Sequence, residues 1–387
     1  MRTAICTISS NNFLSYGLTC LYSAKKYNNC DLFYLISDDY KSSLYGKYDC
    51  DITFVNLSAL QIRDSKLTEM KFKYNIVEFN TCVKPAFYLY LFSKGYDAVI
   101  YLDPDIEVYN SLSEIEDILS ENSVVLTPHK IKPIENELLR DRAFLNNGIY
   151  NLGFIGMRND SNTINFLRWW NDKLEEECYI EYKNGLATDQ IWVELAPTIF
   201  DGFYITKHPG MNVAFWNFLE RDMEYDNGKY SFDGKDLLFF HFSSLSVNCK
   251  KSLLDALKKI NPIFEKFYEA HITTVRNYEF EKFSKESYAY NYFDNGKQIE
   301  PLYRKFYGYS DLVKETYKNP FSTKENCFLN FIEGKEKLNI TAISRNSKLI
   351  KLMINILGIK RVIRLTQKIS NFSIESLSKL YLIKNSD

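Results

Sequence analysis

The chain has 387 residues, 45% of them hydrophobic, enough for a sizeable core in one large domain with an appendage or in two domains. A charged fraction of 25% and a formal net charge of -1 leave no basic excess of the kind that nucleic-acid binders use. No run of about 18 apolar residues occurs, and polar Ser9–Asn12 cut the apolar N-terminus short, so neither a spanning helix nor a signal peptide is expected.

Residues 3–8 read as a buried strand, followed by a polar loop and a helix marked by Leu14, Leu18 and Leu21. Strands are predicted at 31–37 and 52–55. A helix opens with Thr81 as its cap and Pro85 in its first turn, and carries Phe87, Tyr90 and Leu91. Residues 97–102 form the next strand and run straight into Asp103, and 123–127 form another. Residues 149–157 read as a strand whose Gly153 permits close approach of backbone or ligand. A helix with Phe166, Trp169, Trp170 and Leu174 follows, its tryptophans assigned to the core. Thr188 is read as the cap of a helix that runs through Asp189, Gln190, Trp192 and Leu195 and stops at Pro197. Residues 237–242 form an apolar strand carrying His241. From 251 onward helical patterns dominate, which places a domain boundary near 250.

Alternating strand and helix predicts an α/β fold with a largely parallel sheet, in which ligands bind beyond the carboxyl ends of the strands. Asp103 and Asp105 fall at such an end. Two carboxylates one residue apart past a buried strand converge on one point. A hard divalent cation needs such oxygen ligands and an open side for phosphate oxygens. His241 is a candidate third ligand, and imidazole beside carboxylates suits Mn²⁺ better than Mg²⁺. The eight cysteines form no Cys-x-x-Cys pair, which argues against structural zinc. Cys6, Cys20 and Cys82 read as buried thiols, as in a reducing cytoplasm.

Asp103-Pro104-Asp105 resembles the Asp-x-Asp motif of GT-A glycosyltransferases, and further landmarks over residues 1–245 follow the order of retaining glycosyltransferase family eight. The resemblance implies a GT-A catalytic domain over 1–250, a helical region over 251–387, and a metal-dependent sugar transfer from a nucleotide-diphosphate donor, a UDP-sugar foremost. It places Thr7, Ser9 and Asn11 at the nucleoside, Asn151 and Gly153 near the donor sugar, and Asp189 and Gln190 beside the reacting carbon. It assigns the metal to Asp103, Asp105 and His241. Thr188–Trp192, Pro209–Asn217 and Tyr292–Gly296 also resemble segments of bacterial transferases that build surface polysaccharides, so the acceptor implied is a surface glycan or a lipid-linked oligosaccharide. Retention is favoured over inversion. Ser243-Ser244-Leu245-Ser246 stands where family eight carries Gly-x-x-Lys-Pro-Trp, so phosphate contacts fall to those hydroxyls, Lys84 or Lys250.

Each candidate has a plainer reading. His241 could be a satisfied core histidine, Asp189 a helix cap and Lys84 a solvated lysine. Asp38 and Asp39 touch a nucleoside or shape a turn, Trp216 and Asn217 suit a sugar platform, and His208 reads as a loop residue. Residues 345–387 hold nine Lys or Arg against two acidic residues, and their apolar–basic alternation suits an amphipathic helix on an anionic membrane face. The expected location is cytoplasmic, peripheral to the plasma membrane. Two alternatives remain. One is a haloacid-dehalogenase-like phosphatase, which also uses Asp-x-Asp but at its first strand. The other is a non-catalytic glycan-binding or scaffold protein.

Overall fold

The computed structural model describes residues 1–134 and 138–334. The basic stretch 345–387 lies outside the described residues, as does most of the helical region's second half. The chain divides into two compact units, one of Met1–Gln61 with Asn80–Tyr288, the other begun by Ile62–Phe79 and resumed at Ala289.

The first unit is α/β. Strands β1 (Thr3–Ser9), β2 (Asp31–Ile36), β3 (Thr53–Asn56), β4 (Ala98–Leu102), β6 (Val124–Pro128) and β7 (Tyr150–Arg158) join strand Phe203–Ile205 in a seven-stranded sheet; β5 (Ile106–Val108) lies in a separate sheet. The order across the large sheet is Phe203–Ile205, β6, β7, β4, β1, β2, β3. All pairs are parallel except those of β7, which runs antiparallel to both β4 and β6. The central strands β1, β4 and β6 are buried along their whole length. A strand covered on both faces needs an apolar run rather than an alternating one, which is why these segments stood out in the sequence.

β5 forms a three-stranded sheet with Val213–Ala214 and Phe239–His241. The expected strand 237–242 is shorter, Phe239–His241, with His241 opposite Ile106. The expected boundary near 250 is not where the units divide. Helices Lys251–Ile260 and Ile263–Asn277 belong to the first unit because Leu257, Phe264, Phe267 and Ile272 share a core with Phe240, Phe242 and Leu245. Two helix starts also differ. Thr81 lies in the last turn of helix Ile76–Cys82 rather than capping the next, Lys84–Ser93, which does carry Pro85 in its first turn. Pro197 opens the short helix Ala196–Ile199 instead of stopping one, since its fixed φ and missing N–H suit a first turn. Trp170 is fully buried, as expected, against Phe166. All eight cysteines are free.

The second unit is mainly helical over its described part. Phe72 of helix Asp64–Lys73 packs with Tyr303, Phe306 and Tyr307 of helix Pro301–Gly308 and with Phe328. The buried Arg304 guanidinium donates to the Phe72, Tyr74 and Tyr290 carbonyls and to Asn291 Oδ1 at 2.6–3.0 Å, tying the two chain segments of this unit together.

Candidate metal centre

The parallel strands β1, β2 and β4 end on one side of the sheet, and Asp103 follows β4 there directly. The Asp103 amide donates to the Gly153 carbonyl of β7 at 2.7 Å. A turn closed by the Ile106 amide on the Asp103 carbonyl, 3.0 Å, carries the chain into β5. The Asp105 carbonyl then accepts from the Phe242 amide at 2.8 Å. The motif thus bridges the large sheet and the small one, and its two carboxylates are fixed through their own backbones.

His241 comes to the same point from the small sheet. Its Nε2 lies 3.1 Å from Asp105 Oδ1 and 3.8 Å from Asp103 Oδ2. One ligand atom from each of the three residues falls within 4.8 Å of the others, the one such group among the described residues. The His241 side chain is 5% exposed, whereas Asp103 and Asp105 keep 27% and 21%. The group is therefore anchored inside and open on the carboxylate side. Burial opposes charge on His241, but Asp105 and then Asp103 outweigh it and hold the imidazole pKa above its ordinary value. Burial likewise raises Asp105, and the nearby His241 more than reverses this. Two carboxylates and an imidazole make a donor set that fits a divalent cation.

The surrounding side chains set the His241 ring. Nδ1 lies 3.2 Å from Asn151 Oδ1, which also accepts from Asn212 Nδ2 at 2.9 Å. Asn151 Nδ2 meets His129 Nε2 at 3.0 Å, and Trp216 packs its ring edge-on against His241 with centroids 5.3 Å apart. Burial pushes His129 down to about 4, so it stays neutral at pH 7. Gly153 leaves the space that the ring occupies: a Cβ there would sit 2.3 Å from His241 Cε1. Metal ligands depend on such outer hydrogen bonds for tautomer and orientation.

Beside this group lies a second, drier one. Lys84 is 2% exposed, so it is not a solvated lysine. Its Nζ lies 2.8 Å from Asp189 Oδ2 and 3.6 Å from Asp103 Oδ1, donates to the Leu152 carbonyl at 2.9 Å and stands over the Tyr101 ring. Burial disfavours the ammonium, but Asp103 and Asp189 more than compensate and raise its pKa. Burial pushes the Asp189 carboxyl up, and Lys84 opposes that. Thr188, expected as a helix cap, instead has φ +53° and donates from its hydroxyl to Asp189 Oδ1 at 3.0 Å. A β-branched residue in the left-handed region is strained, and its hydroxyl holds the Asp189 oxygen that does not face Lys84.

The other expected site residues divide. Gln190 spans backbone: its Oε1 accepts from the Leu152 amide and its Nε2 donates to the Asn147 carbonyl, so it positions the Asn151–Gly153 stretch. Thr7 is buried, and its hydroxyl has no partner among the described residues. Ser9 is buried and bonds inward to Tyr34. Asn11 meets Tyr45 and the Asp39 carbonyl, while Asp38 accepts from the Asn11 and Asp39 amides and shapes the turn. Asn217 is buried and holds the Ala214 amide. His208 accepts from the Gly210 amide. Sequence reading missed Tyr101, whose hydroxyl donates to Asp103 Oδ1 at 2.7 Å, and Asn212. Period-two alternation along β4 puts Tyr101 and Asp103 on one side and was the available signal.

No family model matches the chain. It is similar to two uncharacterized proteins of Bacillus subtilis (strain 168). YfnD is 29% identical over 205 residues, 52% of this chain and 63% of YfnD; YfnF is 25% identical over 279 residues, 70% of this chain and 91% of YfnF. The match to YfnD thus spans less than two thirds of that protein's length. Among solved structures, the galactosyltransferase LgtC in complex with donor and acceptor sugar analogs is 13% identical with a TM-score of 0.41, over 66% of this chain and 94% of LgtC. The glycosyltransferase GlyE of Streptococcus pneumoniae TIGR4 is 13% identical with a TM-score of 0.43, over 75% of this chain and 66% of GlyE.

Proposed function

We propose that the chain is a metal-dependent glycosyltransferase of the GT-A type, moving a sugar from a nucleotide-diphosphate donor, a UDP-sugar, onto a bacterial surface glycan or lipid-linked oligosaccharide. The observation that carries this reading is the convergence of Asp103, Asp105 and His241 past the carboxyl end of β4, with ligand atoms within 4.8 Å of one another. A bound Mn²⁺ or Mg²⁺ would neutralise charge growing on the departing diphosphate. Asn151 orients the His241 ring for that task, and Gln190 fixes the backbone that carries Asn151. Lys84 supplies a buried positive charge next to Asp103.

Retention is the stereochemistry we infer. An inverting enzyme needs an accessible base, and Asp189 is 1% exposed and tied to Lys84. In a retaining transfer the leaving phosphate can take the acceptor proton, so no side chain has to. Metal-dependent hydrolysis of a panel of UDP- and GDP-sugars tests the reading. Asp103→Ala and Asp105→Ala should each lower turnover about 10²-fold or more, the scale set by removing an electrostatic stabiliser. Full activity of either variant in EDTA would sink the proposal, and NMR of the product anomer decides the stereochemistry.

A further inference from the structure

A cavity of about 690 Å³ opens in the first unit between helix Leu14–Tyr27, β5, the hairpin of Met223–Asp226 and Lys229–Phe232, and helix Ile263–Asn277. None of Asp103, Asp105, Asp189 and His241 lines it. Its volume lies within the range of about 300–1,000 Å³ typical of small-molecule sites. Five tyrosines form its walls: Tyr22, Tyr27, Tyr109, Tyr230 and Tyr278.

These rings are held before any ligand arrives. Tyr22 and Tyr278 stack with centroids 5.3 Å apart and planes 5° from parallel. Tyr230 is braced edge-on by Tyr109 at 6.0 Å and by Phe267 at 4.7 Å. A wall of fixed rings loses little entropy when it binds. Among the described residues, the hydroxyls of Tyr27, Tyr230 and Tyr278 have no hydrogen-bond partner, while the Glu107 carboxylate is engaged by His271 Nδ1 at 2.7 Å. The cavity therefore offers aromatic surface and phenol hydroxyls that both donate and accept, with the ammonium groups of Lys26 and Lys229 also on its lining.

The two helices face it with their C-terminal parts, Thr19–Tyr27 of one and Thr274 of the other. Helix C-terminal ends carry partial negative charge, which Lys26 in the last turn of the first helix offsets. A nucleotide seeks the opposite end of a helix. A pyranose fits better, since it stacks C–H faces on aromatic rings and its hydroxyls match phenols as donors and acceptors.

From these features we infer that the cavity is a saccharide-binding site for a glycan segment, separate from the metal centre and able to work whether or not the chain transfers sugar. The test titrates the full chain with maltotriose, cellotriose, chitotriose and mannotriose, using saturation-transfer NMR and calorimetry. Thr274→Trp fills the cavity from a half-buried helix position, and Tyr27→Ala removes part of its wall. Thermal unfolding checks that both variants fold. At least one trisaccharide should bind, each variant should weaken it by about tenfold or more, and Asp103→Ala should leave it within about twofold. Three outcomes overturn the inference: no trisaccharide binds at millimolar concentration; binding is lost in Asp103→Ala but kept in Thr274→Trp; or Thr274→Trp excludes UDP instead of a saccharide.

Discussion

Replacing Gly153 by alanine tests how His241 is seated. The added Cβ would lie 2.3 Å from His241 Cε1, 2.5 Å from Nδ1 and 2.8 Å from Asn151 Oδ1. Carbon atoms rest about 3.5–4.0 Å apart, so the ring or the strand must give way by about 1.2–1.7 Å. Overpacking of this kind costs about 1–3 kcal/mol. The ring is hemmed in by Asn151 on one side and Trp216 on another, so the displacement moves Nε2 away from Asp105. Disturbing the groups that orient a metal ligand lowers affinity about 10–100-fold. Denaturant unfolding and Mn²⁺ titration of Gly153→Ala read the two effects separately. In a His241→Ala background the main clash is gone, and the stability cost of Gly153→Ala should fall below about 1 kcal/mol, a coupling that a double-mutant cycle measures. Equal costs in the two backgrounds would refute the claim that Gly153 exists to make room for the imidazole. So would wild-type Mn²⁺ affinity in Gly153→Ala.

Lys84→Met leaves the Asp189 carboxylate buried without its 2.8 Å partner, and should cost about 3–5 kcal/mol in denaturant unfolding at pH 7; a loss under about 1 kcal/mol would argue against a buried ion pair. Arg304→Ala strands four carbonyl and amide acceptors inside the second unit. It should make residues 289–334 much more susceptible to limited proteolysis, and an unchanged digestion pattern would contradict the role given to this guanidinium. Asp160 caps helix Ser161–Glu177 through the Thr163 amide and meets Ser123 and Arg158. Burial works against its charge, but those three partners prevail and its folded pKa lies below the usual value. Its contribution, about 1 kcal/mol or more as a charged cap, is therefore complete above about pH 4 and fades as pH falls through the folded pKa. The stability gap between wild type and Asp160→Ala should be constant from pH 5 to 7 and shrink toward pH 3; a gap that widens on acidification would contradict the assignment.

Where local pattern governs, the sequence was readable. β1, β4 and β6 are buried on both faces and announce themselves as apolar runs, and Asp103 follows one of them without an intervening residue. His241 was legible as a histidine out of place in an apolar strand. What escaped reading depends on contacts between distant segments. Nothing in Lys84-Pro85 signals that the lysine is buried beside Asp189, and nothing near Thr188 signals a left-handed backbone in place of a cap. The family resemblance puts Ser9 near a nucleoside, and its hydroxyl turns to Tyr34, a partner that only the pairing of β1 with β2 supplies. The boundary near 250 followed a change of texture. The helices beyond it return to the first unit because their aromatic faces have a core to complete there. The division of the second unit between 62–79 and the chain after 289 has no local signature at all.

Asp103 is pinned to the large sheet through Gly153, and Asp105 to the small sheet through Phe242. A cation gripped by both carboxylates and His241 would act as a rivet between the two sheets, adding to the hydrogen bonds that Asn151 of the large sheet already makes with His241 and Asn212. Ligand binding of that kind stabilises the folded chain by about 2.7 kcal/mol at a hundred times the dissociation constant. Loading and architectural cohesion then become a single equilibrium, so that a cell starved of the ion would hold a looser protein as well as an idle one.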